Sequence, residues 1–180
     1  MEPVSEATVT DTEHGKVVDG EGWFILNLAE ASWERDQTLG IWLSLGAEGV
    51  PFHDFGIGPH MLMPGQASAR YHAESTQEGF LVLSGECLAI VEGEGRRMRQ
   101  WDYLHCPSGT HHITVGAGDG PCVILMVGAR KPDAEIEYTV DELAARYGAS
   151  VARDTTSPRE AYADIPDTLT RERAPWPPRD

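Results

Sequence analysis

PGQASARYHAESTQEGFLVLSG (residues 64–85) and WDYLHCPSGTHH (residues 101–112) are the two stretches on which the fold turns. In the first, His72 and Glu74 stand two apart. Side chains alternate faces along a strand, so both point the same way. Ser75-Thr76-Gln77 makes a bend, and Glu78 then opens a new apolar run. In the second stretch, Pro107 and Gly109 make a turn and His112 begins another run. Imidazole nitrogen and carboxylate oxygen are natural ligands of first-row divalent metals. Carboxylates turned into a small β-structure without a partner are costly, which argues for a cation among them.

Working outward, the same kind of run recurs. WFILN (residues 23–27), TLGIWLSL (38–45) and IGPHMLMP (57–64) precede the first stretch. ARYHAE, FLVLSG, CLAIVEG and RRMRQW follow through residue 101, and then YLHCP, HHITVG and CVILMVGA through residue 129. Short strand-like runs separated by turn residues are the signature of an all-β sandwich or barrel. Glu94-Gly95, flanked by Gly93, suits a hairpin turn. GAGDG (116–120) has no helix after it, so it reads as a hairpin loop rather than a phosphate loop.

The two opening stretches resemble the paired motifs of the cupin superfamily. The first family motif runs Gly, a short gap, His-x-His, three or four residues, Glu, six residues, Gly. Gly65, His72-Ala73-Glu74, Glu78 and Gly85 fall on it. The second runs Gly, five residues, Pro-x-Gly, two residues, His, three residues, Asn. Trp101, Pro107-Ser108-Gly109, His112 and Gly116 fall on that. The chain departs from the pattern at Glu74 in place of the second histidine, at Trp101 in place of the opening glycine, and at Gly116 in place of asparagine. The gap from Gly65 to His72 is also one residue longer than the commonest form.

The resemblance implies an all-β chain: a single double-stranded β-helix, the jelly-roll cupin barrel, with short C-terminal helices. It implies one divalent metal ion (Fe, Mn or Zn) on His72, Glu74, Glu78 and His112. Glu74 is the fourth ligand or an acid–base group, hence the candidate catalytic residue. Two histidines with one or two carboxylates approach the facial triad of non-haem Fe(II) oxygenases and leave positions open for substrate. The expected function is a metal-binding cupin, possible in three forms: an oxygenase acting on a small organic molecule, a non-catalytic binding or sensing protein, or a sugar isomerase or epimerase. Fold alone does not choose among them.

Residues 1–20 read as a loose polar arm, 21–130 as the barrel, and 131–180 as a tail. In the tail, DELAARYG (141–148) has helical spacing, with Thr139 to cap it and Gly148 to end it. SPREAYA (157–163) reads as a second helical turn, with Pro158 at its first position. Leu143, Tyr147, Tyr162 and Trp176 are expected to cap the barrel or reach a partner. A homodimer is the expected assembly, since small cupins commonly pair and WFILN offers a strand to exchange.

The net charge of −15 disfavours nucleic acid and anionic membrane as partners, leaving a small-molecule ligand. No stretch approaches the roughly 20 apolar residues that span a bilayer, and the acidic start lacks the form of a secretory signal. The cytoplasm is the expected location. Cys87, Cys106 and Cys122 are an odd set in apolar runs and are expected to be buried thiols. Among the remaining histidines, His60 reads as an edge residue that could also face the cavity, His111 as a surface residue and His105 as structural. His14 and His53 lie in loops. Arg70 and Tyr71 flank His72, so one of them could reach a substrate. Met61, Met63, Phe80, Val82, Trp42 and Leu125 are expected in the core.

Overall fold

A computed structural model of the protein describes residues 2–46 and 52–174. Strands are numbered in chain order. β1 (Thr8–Thr12) and β2 (Gly15–Asp19) form a hairpin of their own. A seven-stranded sheet follows the order β10 (Tyr103–Cys106), β7 (Glu78–Ser84), β12 (Cys122–Ala129), β5 (Phe55–Leu62), β4 (Gly40–Trp42), β3 (Ser32–Asp36), β14 (Thr170–Arg173). A five-stranded sheet follows the order β13 (Ile136–Tyr138), β6 (His72–Glu74), β11 (His112–Ala117), β8 (Glu86–Val91), β9 (Glu94–Arg99). Neighbouring strands in both sheets are antiparallel. The described residues form a jelly roll of two sheets, and their helices are a 3-10 turn at Leu28–Glu30 and two short α-turns in the tail.

Alternation along each strand builds the core. Cys122 and Ile124 of β12, Leu62 of β5, Phe80 and Val82 of β7, and Cys87 and Ala89 of β8 form one cluster that draws on both sheets. Their neighbours point the other way. Met61 and Val123 pack outside the larger sheet with Trp33 and Ile41. Ile113, Val115 and Ile90 pack outside the smaller sheet with Ala144 and Ala149. β11 is therefore buried on both faces from His112 to Gly116. Ile113 and Val115 each contribute about 1.5–3 kcal/mol by leaving water. All three cysteines are free and buried, as their apolar runs implied.

Several strands were not visible as apolar runs. β13 (IEY) and β14 (TRER) are charged edge strands with too few apolar residues to signal themselves. Residues 8–19, expected as a loose arm, form the β1–β2 hairpin. Conversely, WFILN is not a strand. Only Trp23 makes an isolated bridge, to Glu6, and Ile25 is almost fully exposed. GAGDG is not a hairpin loop either, because β11 and β12 belong to different sheets and the loop crosses between them. The β8–β9 hairpin does form, but it turns at Glu92-Gly93. Both residues have positive φ (49° and 75°), as a two-residue type I′ turn requires. Glu94 and Gly95 are already in β9.

Two departures from the motif have structural reasons. A side chain at Gly116 would place its Cβ 2.2 Å from the Met63 carbonyl oxygen, so only glycine fits beside that crossing segment. Trp101 stands in the left-handed region (φ 74°), the conformation a glycine takes without strain. Backbone bonds from Trp101 N to Val82 O and from Asp102 N to Arg99 O hold that turn, at 2.9 Å each.

The tail packs on its own sheets. α1 (Glu142–Ala145) is capped by Asp141 rather than Thr139, because the Asp141 carboxylate accepts from Ala144 N at 2.7 Å. Gly148 ends it with positive φ, as its position implied. α2 (Pro158–Ala161) starts at the Ser157 cap with Pro158 in its first turn. Leu143 and Tyr162 pack onto the outer clusters. Trp176 lies outside the described residues. Among the described residues no helix is long and apolar enough to cross a membrane.

Candidate metal centre

Three strands bring three ligand side chains together. His72 opens β6, Glu78 opens β7 and His112 opens β11. His72 and His112 face each other directly in the β6–β11 register. One ligand atom from each of His72, Glu78 and His112 lies within 4.8 Å of the other two. The two imidazole rings sit with centroids 4.8 Å apart. His112 is only 2% exposed and His72 is 9% exposed.

The hydrogen bonds fix which nitrogens face the centre. His72 Nδ1 lies 2.6 Å from the Arg70 carbonyl, and His112 Nδ1 lies 3.0 Å from the Thr110 carbonyl. A carbonyl can only accept, so each Nδ1 carries a proton and each Nε2 is the nitrogen left for the centre. Histidines that ligate metals are anchored in this way. His112 Nε2 is buried and makes no hydrogen bond, although Glu78 Oε2 is 3.2 Å away. Such an orphaned group costs about 1–3 kcal/mol. A cation shared with the carboxylate removes that cost, so these residues fit a divalent metal.

The electrostatics draw positive charge to the same nitrogen of His112. Burial pushes the His112 pKa down, but the Cys106 thiol and the Glu78 carboxylate outweigh it and hold it up to about 10. At neutral pH that holds a second proton on Nε2, 3.2 Å from the Glu78 carboxylate, and a bound cation would have to displace it. His72 is lowered by burial first and by its neighbour His112 second, so it stays neutral.

Glu74 points to the same cavity but stands outside the three-ligand cluster. Its carboxylate accepts from the Thr76 hydroxyl at 3.0 Å, not from Arg70 or Gln77. Burial, then the charge on Glu78, raises its pKa. The cavity between the sheets has a volume of about 490 Å³. Trp42, His60, Phe80 and Met126 line it together with His72, Glu78 and His112.

His60 is a buried residue of an inner strand rather than an edge histidine. Its Nε2 donates to the Leu39 carbonyl at 2.7 Å, and Trp42 tilts against its ring. Nδ1 is therefore left as an acceptor. Burial lowers the His60 pKa from 6.5 to about 4, against the Leu39 bond. As pH falls, the unfolded chain takes the proton first, so His60 stabilises the fold above pH 6.5. That stability is lost as pH drops toward about 4. The shift corresponds to about 3 kcal/mol. His72 acts in the same direction, so the readout is the difference between wild type and His60→Gln. Urea unfolding at pH 7 and pH 4.5 is expected to show a clearly smaller acid loss in the variant; equal losses would remove this account of His60.

The other flanking residues are structural. Arg70 is buried and bonds to the tail, and the Tyr71 hydroxyl accepts from Gly93 N at 3.0 Å. Neither lines the cavity among its described residues. His111 is half-buried beside Glu137, while His14, His53 and His105 are exposed. Met61, Phe80 and Val82 are core residues and Met63 is exposed. Cys106 was read only as a buried hydrophobe, yet it stands opposite Glu78 in the β10–β7 register and acts on His112. That pairing depends on tertiary contacts that spacing does not carry.

Residues 60–128 match the family described as Cupin domain. No curated protein matches the chain. Among solved structures, a sugar phosphate isomerase from a cupin superfamily, from Silicibacter pomeroyi, is 26% identical with a TM-score of 0.50, over 57% of this chain and 71% of that one. A Cupin 2 conserved barrel domain protein from Salinispora arenicola is 20% identical with a TM-score of 0.50, over 60% and 89%. A candidate sugar phosphate isomerase from Acidithiobacillus ferrooxidans is 22% identical with a TM-score of 0.48, over 54% of this chain and 64% of that protein's length.

Proposed function

The chain carries a cupin domain, and from that premise we propose that it is a divalent-metal-dependent oxygenase acting on a small, largely apolar organic molecule. The observation that carries this reading is the convergence of two histidine ring nitrogens and one carboxylate in the wall of a cavity. Two histidines and a carboxylate are the ligand set of non-haem Fe(II) oxygenases. When bound, Fe(II) supplies Lewis acidity and one-electron chemistry toward dioxygen.

The chain's own residues do the rest. His72, Glu78 and His112 hold the ion. Trp42, Phe80 and Met126 supply apolar wall for the substrate. His60, neutral above about pH 4, accepts a hydrogen bond from a substrate hydroxyl or N–H. Glu74 takes or returns a proton. Its position outside the ligand cluster and its raised pKa support that role over a fourth ligand.

The Silicibacter pomeroyi neighbour favours a second reading, a sugar phosphate isomerase. The cavity weakens it: Arg130 is the one lysine or arginine among the described residues lining it, a thin complement for a phosphate ester. Oxygen uptake by the Fe(II)-loaded protein, over a panel of phenols, thiols and keto acids, tests the proposal. Uptake matched to substrate loss is expected. Glu74→Gln should keep its metal and lose about 100-fold or more in rate. Interconversion of aldose and ketose phosphates without oxygen uptake would favour the second reading, and ligand binding with no turnover a sensing role.

A further inference from the structure

The segment from Gly148 to Asp164 reaches back to the metal centre through one peptide. Arg70 is 5% exposed, and its guanidinium is spent on this segment. Nε donates to the Ala161 carbonyl at 3.0 Å and Nη1 to the Ser150 carbonyl at 3.3 Å. Nη1 also bonds the Gly148 carbonyl, and Nη2 the Asp164 carboxylate. The Arg70 backbone N–H donates to the Tyr162 hydroxyl at 3.2 Å.

The next bond is the decisive one. Tyr71 N–H donates to the Ala149 carbonyl at 2.7 Å. That N–H and the Arg70 carbonyl belong to the same peptide unit, which is planar and trans. Holding one end of a rigid plane aims the other. The other end is the carbonyl that anchors His72 Nδ1 at 2.6 Å. β13 adds a second grip, pairing Tyr138 directly with His72.

We propose that this C-terminal segment positions the metal ligand His72, with Arg70 as the positioning residue that locks the segment to the 70–71 peptide. The proposal rests on the metal-centre reading for its effect on affinity, but not for the orientation of the ring. Removing an outer partner of a ligating histidine typically costs 10–100-fold in metal affinity.

Two variants test it. Arg70→Met deletes the guanidinium bonds. Tyr162→Phe deletes one hydroxyl, leaves the buried arginine in place, and decides the matter if Arg70→Met does not fold. The readouts are Co(II) affinity, followed by the ligand-field spectrum, and the Nδ1 proton signal of His72 in the metal-free protein. Arg70→Met is expected to bind Co(II) about tenfold or more weakly, and Tyr162→Phe several-fold more weakly. In both, the His72 Nδ1 proton should exchange faster than in wild type. A merely structural role would lower the melting temperature and leave both readouts at wild-type values, and that result overturns the proposal. If wild type binds no Co(II), the metal-centre reading fails, and the Nδ1 signal of the metal-free variants still decides the positioning role.

Discussion

Replacing His112 by alanine is expected to reduce the bound divalent metal from about one ion per chain to background, while the jelly roll still folds. Glu78 and His72 would remain, but one carboxylate and one imidazole make a weak site for a first-row ion. His112 is also the residue whose Nε2 is buried without a hydrogen bond, so it is the group most dependent on the ion. The substitution relieves that cost but removes ring contacts to His72 and Phe80, at centroid distances of 4.8 and 5.0 Å. A core truncation of this size costs about 2–4 kcal/mol. Metal analysis after purification without chelator gives the answer, with circular dichroism to confirm the fold. Unchanged metal content in a folded variant would move the site elsewhere.

The second large effect is thermal. The three ligands come from three strands and assemble only in the folded chain. An ion that binds the folded state alone stabilises it by about 4 kcal/mol at a concentration 1,000 times its dissociation constant. For a domain of this size each kcal/mol shifts the midpoint by about 2–4 °C. Loading with Mn(II) or Co(II) should therefore raise the melting temperature by about 8–16 °C over the chelator-treated protein. The increment should vanish in His112→Ala. Scanning calorimetry with and without chelator measures it, and an equal melting temperature in both conditions would count against a metal held by the fold.

How far the site could be read in advance differs by residue. Glu78 was legible because it opens a strand after the Ser75-Thr76-Gln77 bend, and His72 because alternation within ARYHAE places it on one face with Glu74. His112 was legible through the Pro107-Ser108-Gly109 turn just before it. Glu74 was legible as facing the same way. That its carboxylate turns to Thr76, outside the cluster, is a rotamer choice that spacing does not record. His60 was misjudged because a histidine between Pro59 and Met61 looks the same on an edge as in an inner strand. Only the pairing of β5 with both β4 and β12 buries it. Arg70 was misjudged for a related reason. Its partners lie 78 to 94 residues further along the chain, and a charged residue beside a ligand suggests substrate until those partners are seen.

The fold itself was mostly legible in the central runs, from IGPHMLMP to CVILMVGA, where apolar alternation is strong. It was least legible at the ends. β1, β2, β13 and β14 are short and polar on their exposed faces, and tertiary pairing rather than propensity makes them strands. WFILN failed in the opposite sense. Its apolar content marked a strand, but its Leu26 packs as side cover on the outer cluster around Trp33.

The most direct test of the central claim is an anomalous-diffraction map from crystals of the protein loaded with Mn(II) or Co(II). One strong peak is expected, within bonding distance of Nε2 of His72, Nε2 of His112 and the Glu78 carboxylate together. A peak elsewhere, or no peak among these three side chains at a concentration that saturates binding in solution, would contradict it.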